Sequence, residues 1–79
     1  MNELTTTKVR DLGLAAALVS YGHEIRGTSR DTSGRAYFIF VQTAELSHNI
    51  NAYWANTLYV KARTFFDNTK MLKSRIYAE

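Results

Sequence analysis

Every position from Ala36 to Val41 is apolar or aromatic, and the run follows Asp31-Thr32-Ser33-Gly34. That tetrapeptide is a turn signal: an aspartate accepts main-chain hydrogen bonds at the start of a turn, and a glycine takes positive φ at its end. Arg35 to Gln42 is therefore predicted as a strand. His23 to Arg30 is predicted as its antiparallel partner, across a four-residue loop. A hairpin with one solvated face alternates polar and apolar residues. Here Phe38/Phe40 and Tyr37/Ile39/Val41 all need cover. Helices on both sides are the expected answer, and the alternative is a homodimer that shares a strand face or edge.

The rest of the chain supplies the helices. Asp11 is placed to cap a helix over Leu12–Tyr21, which Gly22 ends in the left-handed conformation. Its two apolar stripes, Leu12/Ala15/Ala16/Val19 and Leu14/Leu18/Tyr21, predict packing on more than one side. Thr43 is the expected cap of a second helix, with Leu46, Ile50, Tyr53 and Trp54 as its buried stripe. Asn56-Thr57 interrupts it, and Leu58-Tyr59-Val60 reads as an extended link or a short third strand. A long amphipathic helix follows over 61–77. Its stripe is Ala62, Phe65, Phe66, Thr69, Leu72 and Ile76, with Arg63, Asp67, Lys70, Ser74 and Arg75 facing outward. The expected fold class is α+β, in the order α-β-β-α-(β)-α. Residues 1–8 are expected to form a loose, threonine-rich tail, and 9–79 a single domain.

Composition narrows the function classes. The 79 residues have room for one core, and 46% hydrophobic residues argue against disorder. Without cysteine there is no disulfide framework and no thiolate metal site. The Leu14–Val19 run is far too short to cross a bilayer, so no membrane partner is expected. Met1–Thr7 lacks a basic patch leading into an apolar stretch, so no signal peptide is expected and the cytoplasm is the expected compartment. The two histidines, His23 and His48, have no partner at metal-helix spacing. The carboxylates Asp11, Glu24, Asp31, Glu45 and Asp67 stand singly at caps, turns and helix surfaces. Acid–base chemistry needs two groups held in contrasting environments. Neither phosphate-cradling glycine motif occurs. The chain is read as a non-enzyme without a cofactor or metal.

A net charge of +3 permits an acidic partner without demanding one. Arg26, Arg30 and Arg35 cluster on the hairpin, while Arg63, Lys70 and Arg75 lie along the last helix. These six are the candidate contacts to the phosphates of DNA or RNA. The bland alternative is an ordinary solvated face. The strand does not match the aromatic signature of RNA-recognition domains, because its Tyr37/Ile39/Val41 face offers one aromatic and Ala36/Phe38/Phe40 is better read as core.

The runs Asp11–Ala16 with Gly22-His23, Arg35–Phe40, Tyr53-Trp54, Val60–Arg63 and Leu72–Tyr77 resemble an uncharacterised family of short proteins from phages and mobile genetic elements. The likeness spans about residues 9–78 and rests on packing and capping patterns. It implies an accessory protein that binds nucleic acid, or one that binds and inhibits a host protein. In the second case exposed rings at Trp54, Tyr59 and Tyr77 would be the anchors, although ordinary core is the simpler expectation for Trp54.

Overall fold

Asp11 starts the first helix by the expected mechanism: its backbone is extended and its carboxylate accepts from the Leu14 N–H at 2.8 Å. This is seen in a computed structural model that describes residues 5–78. Helix α1 (Leu12–Tyr21) ends at Gly22, whose φ of 113° lets its N–H reach the carbonyls of Leu18 and Val19. Strands β2 (Ile25–Arg30) and β3 (Ala36–Val41) form the expected hairpin. Arg30 pairs with Ala36, so the loop is 31–35, one residue longer than expected. The Asp31 carboxylate organises it, accepting from the Ser33 hydroxyl at 2.6 Å and from the N–H groups of Ser33 and Arg35, each at 3.0 Å. Helices α2 (Ala44–Trp54) and α3 (Ala62–Ala78) complete the order, with Thr43 capping α2 through the Leu46 N–H at 2.9 Å. None of the described helices is long and apolar enough to cross a membrane.

The expected loose tail over 1–8 is corrected where it is described. Thr6–Val9 is a strand, β1, and the sheet order is β1-β3-β2 with both pairings antiparallel. Residues 1–4 lie outside the described residues. The cause is the strongly apolar β3, whose second edge offers N–H and C=O groups that need partners. The β-branched Thr6, Thr7 and Val9 supply them. Gln42 N–H donates to the Thr5 carbonyl at 2.8 Å, and the Thr7 hydroxyl donates to the Gln42 side chain. The third strand is thus at the front of the chain, and Leu58–Val60 is an extended link.

One cluster holds the layers together: Val9, Leu14, Ala15, Ala16, Leu18, Phe38, Phe40, Leu46 and Leu72. It runs through all three helices and one face of β3, and does not include Tyr37, Ile39 or Val41. The expectation of helices on both sides of β3 is corrected accordingly. The molecule measures 35 × 33 × 20 Å. Its short dimension holds one helical layer, about 10 Å across, on one sheet, while a further layer would add about 10 Å. Three stripe positions are also corrected. Trp54 and Phe66 are 62% and 60% exposed, and Ala62 is exposed. At the end of α2, Tyr53 takes the core-facing position and Trp54 meets it edge-on, with centroids 5.0 Å apart. Helix α3 packs mainly on α1, so its apolar seam is the narrow Phe65/Leu72/Ile76 line, and Phe66 lies beside it under the Lys70 ammonium.

Candidate functional site

The face of β3 away from the helices, where Tyr37, Ile39 and Val41 are half-buried, carries the most chemically distinctive arrangement. Along β1 the side chains alternate, so Val9 enters the core while Lys8 and Arg10 go to the opposite side. Lys8 pairs across the strands with Ile39, and Ser29 pairs with Tyr37. The Lys8 ammonium is 5.0 Å and the Arg10 guanidinium carbon 5.3 Å from the centre of the Tyr37 ring. Both distances are within cation–π range. Arg10 also bonds the Asp31 carboxylate at 2.6 Å, which ties β1 to the hairpin loop. The hydrogen bonds within the loop, led by that from Ser33, hold Asp31 down at a pKa of about 2, and Arg10 adds to the effect.

The six basic residues expected from the sequence have varied surroundings. Arg26 is the extra residue at a β-bulge between Ile25 and Gly27, and it pairs with Glu24 at 2.9 Å. Arg30 donates to the carbonyls of Gly34 at 2.9 Å and Ile76 at 2.8 Å, so its guanidinium serves the fold. Arg63 faces Asp67 at 4.0 Å, one helical turn on. Lys70 lies over Phe66, and Arg35 and Arg75 are exposed. The Arg30–Ile76 bond draws the hairpin loop to the last turn of α3. Arg30, Arg35 and Arg75 thereby belong to the same end of the molecule as Lys8 and Arg10. Arg63 is at the other end of α3, about 18 Å from Arg75 along the helix axis. The six do not form one continuous row.

In the sequence Lys8 and Arg10 read only as basic residues preceding the first helix, although the alternation Thr6-Thr7-Lys8-Val9-Arg10 places both on one strand face. A four-residue strand carries too few periods to stand out from a polar terminus.

The rings at Trp54, Tyr59 and Tyr77 are 62%, 86% and 77% exposed. They do not form one patch by position, because Tyr59 precedes α3 and Tyr77 lies in its last turn. His23 is held by a 2.7 Å hydrogen bond between its Nε2 and the Asn49 amide, and it stacks on Tyr21 at 5.9 Å.

A family model described as Domain of unknown function (DUF5659) matches residues 5–78. No curated protein and no solved structure matches the chain.

Proposed function

We propose that this chain, which belongs to the DUF5659 family, is a small nucleic-acid-binding accessory protein of a phage or mobile element, acting in the cytoplasm. The observation that carries the reading is the pair of cations, Lys8 and Arg10, set over the Tyr37 ring on the sheet face that the helices leave open. Single strands are bound by cations that track phosphates beside an aromatic face on which a base stacks. Tyr37 is the stacking surface in this reading. Lys8 and Arg10, with Arg35 and Arg75 at the same end, are the phosphate contacts. Arg26, Arg63 and Lys70 are peripheral, and Arg30 is structural.

Fluorescence anisotropy with short single-stranded DNA and RNA oligonucleotides tests it. Four phosphate contacts predict roughly a fiftyfold loss of affinity between about 50 and 200 mM salt. Lys8→Ala and Arg10→Ala each lower both the affinity and the salt slope, and Tyr37→Leu lowers the affinity at unchanged slope. Absence of binding at low salt and micromolar protein overturns the reading.

A second reading is a protein-interaction module, such as an inhibitor of a host defence complex, and the exposure of Trp54, Tyr59 and Tyr77 favours it. A host protein captured specifically by the chain and lost on Trp54→Ala or Tyr59→Ala would replace the first reading. Sedimentation with and without oligonucleotide decides whether a homodimer occupies the open sheet face instead.

A further inference from the structure

At the end of the molecule away from the hairpin loop, the chain builds a second concave surface. Helix α2 ends at Trp54, and two residues on Asn56 takes a left-handed φ of 62°. Thr57 then turns back, its N–H donating to the Ala52 carbonyl at 2.8 Å. This turn lays the link 57–61 alongside the ends of α1 and α2. Two adjoining cavities result, of about 500 and 360 Å³, and Tyr21 and Tyr59 line both. The larger is also bordered by His48 and Asn51, whose imidazole and amide side chains are not tied up in the core as the buried Asn49 amide is. The smaller is bordered by Lys61 and Thr64, with Ser20 beneath. Among the described residues no carboxylate lines either one.

We propose that this paired cavity binds a nucleotide unit, with the base against Tyr21 and Tyr59 in the larger part and the phosphate at Lys61 and Thr64 in the smaller. The two parts differ in the way the two halves of such a ligand differ. A planar heterocycle needs aromatic walls and amide or imidazole groups for its polar edge. A phosphate needs a cation and hydroxyl donors with no carboxylate nearby. Tyr59 is 86% exposed although aromatic. Docked base would cover it. The proposal is independent of the sheet-face reading, since none of Lys8, Arg10 or Tyr37 borders these cavities.

The test is an amide-resolved NMR titration of the full chain with adenosine monophosphate, with adenosine and inorganic phosphate as separate probes. The expected result is shifts at Tyr21, Asn51, Tyr59 and Lys61, with the monophosphate binding at least tenfold more tightly than either part. Tyr59→Ala and Lys61→Ala, both exposed and outside the core, each weaken it about tenfold and leave oligonucleotide affinity at the sheet face unchanged. Tyr37→Leu does the reverse. A 5′-phosphorylated oligonucleotide that shifts the same amides, when the free monophosphate does not, identifies a strand end as the source of the nucleotide. No shift at these amides with millimolar monophosphate or with the phosphorylated strand overturns the proposal, as do shifts confined to Lys8, Arg10 and Tyr37.

Discussion

The Arg30 guanidinium donates to the main-chain carbonyl of Ile76 at 2.8 Å, joining the rim of the hairpin to the last turn of α3. Carbonyls in a final helical turn have no partner within the helix, and a cation there also meets the negative end of the helix dipole. The same side chain holds the Gly34 carbonyl of the loop. A residue expected from the sequence to contact phosphate instead fastens two elements of the fold.

Arg30→Ala is therefore expected to lower stability by about 1 kcal/mol, a modest figure because the site is exposed. For a chain of this size that is a fall in Tm of about 4–8 °C, measured by thermal circular dichroism. An unchanged Tm together with weaker oligonucleotide binding would return Arg30 to the binding surface.

The buried Asn49 amide, 2% exposed, uses the His23 ring as its partner at 2.7 Å. His23→Phe keeps a ring against Tyr21 but strands the amide, at an expected cost of about 1–3 kcal/mol. Asn49→Leu, similar in volume, removes the polar group along with its need and is expected to cost less. Urea unfolding of both variants checks the order. Equal or reversed costs would show that the hydrogen bond does not govern this junction between α1 and α2.

Asp31 sets the acid response of the hairpin. Its pKa is lowered from 3.8 to about 2 by the Ser33 hydroxyl, by the loop N–H groups of Arg35 and Ser33, and by Arg10. A carboxylate whose pKa is lower in the folded than in the unfolded chain contributes stability that is complete above the unfolded value. That contribution is lost as pH falls from about 4 towards 2. Melting temperatures of the native chain are expected to drop across that window, and those of Asp31→Asn to start lower and drop less. Parallel curves for the two proteins would contradict this.

Gly13 of α1 lies directly against the Tyr53 side chain of α2. A Cβ added there would sit 2.6 Å from the Tyr53 phenol oxygen but 3.7 Å from the ring carbon that bears it. The phenol is partly buried beside Asp11, and burial first and the Asp11 charge second raise its pKa. Gly13→Ala is thus expected to destabilise by on the order of 1–2 kcal/mol, against the usual helical preference for alanine. In a Tyr53→Phe background the clash disappears, and the same change becomes neutral or stabilising. A double-mutant cycle by urea unfolding measures this coupling, and additivity would refute it.

The caps and turns were legible because they are local. Asp11, Gly22, Asp31, Gly34 and Thr43 each act on main-chain groups within a few residues, so the residue type at the position carries the information. Helix α1 occupies the span expected from its caps for that reason, and the hairpin strands lie within theirs. Periodicity worked where the stripe was long. It failed at Trp54 and Phe66, which mark the edges of stripes, because a neighbouring ring or helix decides which edge residue is covered.

The sequence by itself determined one further thing: a β3 strand that is apolar on both faces and asks for more cover than a two-stranded hairpin supplies. How that demand is met belongs to the tertiary structure. The free edge goes to Thr6–Val9, some thirty residues away in sequence, through main-chain bonds that leave almost no trace in side-chain pattern. The second face is left without a helix and receives Lys8 and Arg10 across Tyr37. Charge content was visible in composition, but the position of each charge was not, because pairing across strands and bonding between the hairpin and α3 join residues far apart in the chain.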